Sequence, residues 1–274
     1  MDKRKIPAAR YGVLEQTIIN DSFDFTAEQL EVKGYAVFKS NLSHTQLDKL
    51  DEEFDRVRIE YQQNHGADEL KALDEHNTVR MPFLLSKLFF DLIFDKCLQS
   101  VLKRVFEKRK FILNQQNLIV NPVTESYNQQ AWHRDLPYQH FISSRPLAVN
   151  ALFCLDDFTT ENGATFVLPC SHKSENFPSD KYVMENALQI TAKRGNFIFL
   201  NSMLFHSGGV NKSKSIRRAI NNVFSIPYIK QQITIPSDLT CELKDNDKKE
   251  IMGVNHCPPQ SVDEFLELIK LKRK

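Results

Sequence analysis

The stretch Phe111-Ile-Leu-Asn-Gln-Gln-Asn-Leu-Ile-Val120 marks the position at which the pattern of this sequence changes. Before it, apolar residues recur at the spacing of helices, as they do from Leu47 to Tyr61. From Phe111 onward the apolar runs are short, and turn residues such as Asn162-Gly163 separate them. The stretch therefore predicts the first strand of a β region that follows a helical one.

Further runs downstream share this pattern and have the length of strands, namely Leu147–Leu155, Ala164–Leu168, Leu188–Ala192, Asn196–Leu200 and Arg218–Ile226. Many short strands at this spacing predict an antiparallel sandwich or jelly roll. Helices that precede the strands indicate an α+β, mainly β chain in which N-terminal helices brace a β core. We expect one domain over residues 1–274, with a helical part to about residue 110, a core from 111 to 230 and a C-terminal extension from 231 to 274.

The helical part carries start and stop signals of its own. Thr26 with Gln29 has the pattern of a capping box, and Gly34 suits the position that follows the end of a helix. The apolar region from Pro82 to Lys108 is expected to be helical, with a break near Asp95.

The charges of the chain are balanced, with 36 Lys and Arg against 35 Asp and Glu and a net charge of +1. A dedicated nucleic-acid-binding protein normally carries a basic domain or stripe, so we expect no nucleic-acid partner.

The five cysteines are scattered and form no CxxC pair, which favours reduced thiols. Neither a signal-peptide pattern nor an apolar run of about 20 residues occurs. We expect a cytoplasmic protein without a membrane span that acts on a small molecule, in an oligomeric state that the sequence leaves open.

The segment Trp132-His133-Arg134-Asp135 and the later His206 indicate chemistry. In a strand, residues two apart point to the same face, so His133 and Asp135 can offer an imidazole and a carboxylate to one ion. His206 follows an apolar strand and can complete a set of two histidines and one carboxylate. That facial triad leaves coordination positions open for co-substrate and dioxygen (O2), and it is typical of non-haem iron(II) (Fe2+) oxygenases.

Two arginines downstream of His206 are candidates for holding an anionic co-substrate. The co-substrate 2-oxoglutarate would chelate the iron by its keto acid end, so its distal carboxylate needs a fixed cation, and a guanidinium matches a carboxylate in shape. Either Arg217 or Arg218 could serve on spacing alone. Their side chains would point to opposite faces of a strand, so only one of them can enter the β core.

These motifs together resemble the phytanoyl-CoA dioxygenase family of iron(II)- and 2-oxoglutarate-dependent oxygenases. The resemblance is clear from about Phe111 to Phe224 and rests on Trp132-His133-Arg134-Asp135, Leu155-Asp156-Asp157, Glu161-Asn162-Gly163, the turn Leu168–Lys173 and the run from His206 to Arg217. It implies a double-stranded β-helix (a cupin-like jelly roll), with iron held by His133, Asp135 and His206. The family places its carboxylate-binding Arg at the separation seen between His206 and Arg217, which favours Arg217 over Arg218.

Two positions depart from the family pattern. Cys170 stands where the family turn Pro-Gly-Ser-His has Gly, and Ser207 precedes Gly208 and Gly209 where Gly-Ser-Gly is common. Neither position is a ligand, so the departures concern local turn geometry. His172 in the same turn is expected to be structural.

Candidates for the rest of the pocket are polar residues near the motifs. Gln115 and Asn117 share one strand face and could point toward 2-oxoglutarate. The loop after Asp135 holds three candidates for substrate contact, namely Tyr138, His140 and Arg145. A fourth candidate, Arg80, comes directly before Met81-Pro82. Arg80 and Arg145 together would suit an anionic substrate.

The resemblance implies that 2-oxoglutarate is converted to succinate and carbon dioxide while a small molecule is hydroxylated. Related halogenases lack the carboxylate ligand, so Asp135 favours hydroxylation. One alternative is a catalytically silent jelly-roll binding protein, which would have little reason to keep all four site residues. Another is a zinc hydrolase on a cupin-like barrel, in which Arg217 has no evident role. The fold does not determine the substrate, because pocket loops vary within a family.

Overall fold

The computed structural model describes residues 8–107, 109–125, 127–136, 141–236, 239 and 243–273. Its helices are α1 (Ser22–Lys33), α2 (His44–His65), α3 (Ala67–Ala72), α4 (Lys87–Ile93), α5 (Lys96–Phe106), α6 (Asp180–Asn186), α7 (Asn246–Ile251) and α8 (Val262–Lys272). Its strands are β1 (Tyr35–Lys39), β2 (Thr78–Arg80), β3 (Ile112–Asn121), β4 (Ala148–Cys154), β5 (Phe166–Val167), β6 (Leu188–Gln189), β7 (Asn196–Asn201), β8 (His206–Ser207) and β9 (Arg217–Ser225). None of the described helices is long and apolar enough to cross a membrane.

The strands form two antiparallel sheets. The larger has the order β1-β7-β4-β9-β3-β2, and the smaller has the order β6-β5-β8. Apart from the pairs β2-β3 and β5-β6, neighbours in these sheets are not consecutive in the chain, which is the topology of a jelly roll rather than of a meander. This confirms the predicted fold class, a jelly-roll core braced by helices.

The two faces of the larger sheet pack against different parts of the molecule. In β7, Phe197 and Phe199 belong to the main apolar core, in which α2, α4 and α5 cover the outer face of the sheet. Ile198 and Leu200 alternate with them and belong to a second cluster beside the smaller sheet. Because strand residues alternate between faces, the same strands that anchor the helices also line the space between the sheets.

The helix boundaries agree with the sequence signals in one case and differ in another. Asp95 caps α5 by accepting a hydrogen bond from the Leu98 N–H at 2.9 Å, so the predicted break near Asp95 is confirmed. The prediction that Thr26 caps the first helix is wrong. Asp21 is the cap, because its carboxylate accepts from two backbone N–H groups, while Thr26 lies inside the helix and donates to the Ser22 carbonyl.

Candidate metal centre

His133, Asp135 and His206 meet at one end of the space between the sheets. His133 and His206 form an isolated antiparallel bridge, with backbone hydrogen bonds of 3.0 and 3.1 Å in the two directions. The Asp135 N–H donates to the Ser202 carbonyl at 3.0 Å, so the backbone of each of the three residues is fixed. Asp135 Oδ1 lies 3.7 Å from His133 Nε2, and Asp135 Oδ2 lies 3.3 Å from His206 Nε2. One ligand atom from each residue lies within 4.8 Å of the others, an arrangement that could hold one metal ion.

Both imidazole rings are oriented by their own backbone. His133 Nδ1 lies 2.7 Å from the Ala131 carbonyl, and His206 Nδ1 lies 2.9 Å from the Leu204 carbonyl. Each Nδ1 therefore carries the proton, and each Nε2 presents a lone pair to the centre. His133 Nε2 is buried and has no hydrogen-bond partner among the described residues. A buried acceptor without a donor is costly, and a bound metal ion would satisfy it, so the residues present fit such an ion.

The electrostatics of the site favour the ligand forms of His133 and Asp135. Burial opposes protonation of His206, but the adjacent Asp135 carboxylate raises the pKa of this histidine above its usual range, so a metal ion would compete with a proton there. Burial is the main cause that lowers the pKa of His133, and the neighbouring His206 lowers it further. Burial opposes ionisation of Asp135, but His206 and His133 together with the Asn150 amide hold the pKa of its carboxyl below the usual range. A neutral imidazole beside an ionised carboxylate is what a divalent metal requires.

Arg217 lies in the same cavity as the three residues and is 3% exposed. Its guanidinium donates to the Gly163 carbonyl at 2.7 Å and stacks over the Phe158 ring at 4.0 Å. Within the part of the chain that the structure describes, its Nε has no hydrogen-bond partner and no carboxylate lies within 4.0 Å of the guanidinium. Burial lowers the pKa of Arg217. Arg218 points to the outer face, where it pairs with Asp51, Asp55 and Asp156.

The remaining walls of the cavity combine apolar and uncharged polar side chains, namely Ile119, Tyr127, Gln129, Asn150, Leu152, Thr165, Leu200, Ala219 and Asn221. Gly208 forms part of the wall, because a Cβ on it would lie 2.2 Å from the Tyr127 hydroxyl. Sequence reasoning did not find Tyr127 or Asn150. The signal for Asn150 is a single buried amide in an otherwise apolar strand, whereas Tyr127 carries no such signal.

Gln115 and Asn117 do not line this cavity. They lie on the inner face of β3, as expected, but they border a separate pocket together with Met81, Phe83 and Gln232. Ile119, two residues further along the same face, is the residue of β3 that lines the cavity of the triad. The face was predicted correctly, and the position along the strand was not.

The substrate candidates Arg80 and Arg145 also lie away from the triad cavity, and each pairs with an acidic residue. Arg80 lies 2.6 Å from Glu75, and Arg145 lies 2.7 Å from Glu107. Their charges are thereby neutralised within the fold, which gives no support to an anionic substrate held by this pair. The other two candidates lie outside the described residues: Tyr138 and His140.

Cys170, which departs from the family pattern, adopts the left-handed backbone conformation that favours glycine. Cys170 has a φ of 66°, in the left-handed region, and its N–H donates to the Lys33 carbonyl at 2.8 Å. His172 is 3% exposed, and its Nε2 lies 3.0 Å from the Glu31 carbonyl. The turn therefore ties α1 to the jelly roll, and His172 contributes to that contact rather than to the triad.

Comparisons with known proteins identify the family of this chain. The family model for phytanoyl-CoA dioxygenase matches residues 30–219. The uncharacterized protein Rv1501 of Mycobacterium tuberculosis is 30% identical over 219 residues, which cover 78% of this chain and 79% of the relative. Dioxygenase hkm4 of Aspergillus hancockii is 27% identical over 239 residues, covering 80% and 77% of the two chains.

Two solved structures share the fold. EctD from S. alaskensis, crystallised with 2-oxoglutarate and 5-hydroxyectoine, has a TM-score of 0.65 at 19% identity, covering 79% of this chain and 81% of its own. The epimerase SnoN, in complex with Fe3+, alpha ketoglutarate and nogalamycin RO, has a TM-score of 0.59 at 16% identity, covering 82% and 91%. The chain therefore belongs to the phytanoyl-CoA dioxygenase family of iron(II)- and 2-oxoglutarate-dependent oxygenases.

Proposed function

We propose that this enzyme hydroxylates a small-molecule metabolite while 2-oxoglutarate is converted to succinate and carbon dioxide. In this proposal His133, Asp135 and His206 hold the iron, and Arg217 binds the distal carboxylate of 2-oxoglutarate. The observation that carries the proposal is a buried guanidinium that has no carboxylate partner among the described residues and lies in the same cavity as two histidines and an aspartate.

The isolation of Arg217 supports an anionic ligand. Burying an ion without a countercharge costs roughly several kcal/mol of free energy, unless hydrogen bonds or an oppositely charged partner compensate. The Gly163 carbonyl and the Phe158 ring compensate in part, and the free Nε still needs an acceptor. A carboxylate placed between this group and the triad would supply one, and a planar guanidinium favours two parallel hydrogen bonds to it.

The protein's own residues define what the metal can do. The two Nδ1 hydrogen bonds fix the imidazole planes, so both Nε2 atoms stay directed at one point. Three protein ligands leave further positions for the co-substrate and dioxygen. Iron(II) bound there with 2-oxoglutarate and dioxygen would supply the oxidising power for hydroxylation of a C–H bond.

The walls of the cavity support an uncharged or weakly polar substrate group near the triad. Leu152 and Leu200 contribute apolar surface, while Asn221 and Gln129 contribute amides. Among the described residues, Arg217 is the one cation that lines the cavity, and the co-substrate would use it. The structure of EctD was obtained with the small molecule 5-hydroxyectoine, which agrees with a small-molecule substrate for this chain.

An assay for succinate tests the proposal. Purified protein with iron(II), ascorbate and 2-oxoglutarate is expected to form succinate, at a rate that rises with a suitable member of a panel of small-molecule substrates. The Asp135→Ala variant, which lacks one ligand, is the matched control and is expected to form none. Absence of succinate across the panel, together with absence of metal-dependent 2-oxoglutarate binding, would establish the silent binding protein instead.

A further inference from the structure

Asn150 lies beside the carboxylate of the triad, on the inner face of β4, and is 2% exposed. Its side-chain nitrogen donates a hydrogen bond to Asp135 Oδ2. Its side-chain oxygen accepts one from Ser202 Oγ at 2.5 Å. Because an ionised carboxylate only accepts hydrogen bonds, Asp135 requires the nitrogen side of the amide, and the Ser202 hydroxyl donates to the oxygen on the other side.

Ser202 is fully buried and holds Asp135 in a second way. Its carbonyl accepts from the Asp135 N–H at 3.0 Å, and its own N–H donates to the Ala148 carbonyl at 3.1 Å. A single residue therefore fixes the backbone of Asp135 directly and its carboxylate through Asn150. Groups that hydrogen-bond to metal ligands in this way commonly set the orientation and affinity of those ligands.

We propose that Asn150, held by Ser202, is a positioning residue that makes Asp135 bind the iron through one oxygen only. The inference rests on the proposed function, because it assigns a role relative to the iron of that site. Asp135 Oδ2 accepts from the amide and lies 3.3 Å from His206 Nε2, whereas Oδ1 accepts no hydrogen bond from the described residues and keeps all of its lone pairs for a metal ion. If both oxygens bound, the carboxylate would take a position that 2-oxoglutarate and dioxygen need.

The surroundings of Asn150 support this role. Its neighbours on the inner face of the sheet, Leu152 and Leu200, are apolar, and an apolar residue would suit β4 better as a core strand. A buried amide is unfavourable unless both of its sides are hydrogen-bonded. Here both sides are used, one by the hydroxyl of Ser202 and the other by the metal-ligand carboxylate.

Metal binding to three variants of the purified full-length apoprotein tests the proposal. Asn150→Leu removes both hydrogen bonds at similar volume, and Ser202→Ala removes only the donor to the amide oxygen, so that Asp135 alone holds the amide. Asn222→Leu is the matched control, because Asn222 is also a fully buried amide of the same sheet but lies on the outer face, bonded to Gln116 and the Ala151 carbonyl. Iron(II) affinity is measured anaerobically by chelator competition, and the visible absorption of bound cobalt(II) reports the coordination number.

Asn150→Leu is expected to weaken iron(II) binding about 10- to 100-fold and to change the intensity of the cobalt(II) bands. Ser202→Ala should produce a smaller change in the same direction, and Asn222→Leu should match the wild type in both measurements. A folded Asn150→Leu or Ser202→Ala protein with wild-type affinity and spectrum overturns the positioning role; if Asn150→Leu does not fold, Ser202→Ala decides. A wild-type protein that binds neither iron(II) nor 2-oxoglutarate overturns the proposed function as well.

Discussion

Arg217 and Arg218 are adjacent in β9, and their guanidinium groups lie on opposite faces of the sheet with opposite electrostatic surroundings. Arg217 enters the cavity of the triad and has no described carboxylate within 4.0 Å. Arg218 lies on the outer face, where the carboxylates of Asp51, Asp55 and Asp156 surround it. The sequence allowed either residue to bind 2-oxoglutarate, and this difference in charge environment favours Arg217.

Arg217→Lys is expected to weaken 2-oxoglutarate binding about 10- to 100-fold, because a point charge replaces a guanidinium that can form two charge-assisted hydrogen bonds. Iron-dependent binding of 2-oxoglutarate, measured by calorimetry, tests this. Arg218→Lys is the matched control and should retain wild-type affinity while losing about 1 kcal/mol of stability from its ion pairs. If the control lost the affinity and Arg217→Lys kept it, the role would belong to Arg218.

Gly163→Ala is expected to damage both stability and co-substrate binding. Gly163 has a φ of 73°, and a Cβ there would lie 2.3 Å from the Gly209 carbonyl oxygen, which is backbone and cannot rotate away. Its own carbonyl holds the Arg217 guanidinium, so the displacement should reach that group. Because the clash with backbone adds to the strain of a positive φ, we expect a loss of about 2–5 kcal/mol and weaker 2-oxoglutarate binding, measured by urea unfolding and calorimetry.

Gly253→Ala provides the comparison for that variant. Gly253 also has a positive φ, 82°, but the nearest atom to an added Cβ is the Gln231 side-chain nitrogen at 3.1 Å, which can move. The control should therefore lose about 1 kcal/mol through backbone strain and keep its co-substrate affinity. Equal stability losses in the two variants would contradict the role assigned to the close approach at Gly163.

Two of the three triad residues could be placed together from sequence because their relation depends on local periodicity, whereas His206 was predicted from its position after an apolar strand and from the family resemblance. His133 and Asp135 lie two residues apart in an extended segment, so they share a face whatever the tertiary structure. The same reasoning put Gln115 and Asn117 on the inner face correctly. It did not give their distance from the site along the strand, because that depends on the pairing of β3 with β9, which places Asn121 rather than Gln115 opposite Arg217.

Other features depend on contacts that the sequence does not display. Asn150 could be recognised as unusual in an apolar strand, but its partners, Asp135 and Ser202, come from two other segments. Likewise the cap of α1 is Asp21 rather than Thr26, and Asp21 is also tied to Arg104 of α5 by an ion pair. In both cases tertiary contacts select among residues that local propensity treats as equivalent.

Arg134 lies between His133 and Asp135 in an extended segment, and its side chain points away from the triad. It is expected to contribute strongly to stability. It is 7% exposed, and its guanidinium donates to carbonyl oxygens of Ser171, Met203, Ser174 and Glu175. In Arg134→Lys the single ammonium group cannot reach all four carbonyl oxygens, so some of these buried acceptors lose their donor. We expect the free energy of unfolding to fall by about 3 kcal/mol in total. Urea unfolding should register the loss, and hydrogen exchange should rise in residues 171–175.

Arg56→Lys is the control for that prediction. Arg56 is an exposed arginine of α2 that pairs with Glu53 and Glu60, and exposed pairs contribute less than about 1 kcal/mol. A comparable loss of stability in the two variants would show that Arg134 does not depend on its buried carbonyl partners.

Asp95 is expected to make stability depend on pH in a direction opposite to that of most carboxyl groups. It is 4% exposed at the start of α5, and burial raises the pKa of its carboxyl above the usual range. In the window between the unfolded pKa of about 3.9 and the raised folded value, the native state binds more protons, so stability falls as pH rises. Asp95→Asn keeps a capping oxygen without the titration. We subtract the unfolding free energy of the variant from that of the wild type, both measured in urea between pH 4 and 7. This difference should decrease as pH rises, and an increase would contradict the raised pKa of Asp95.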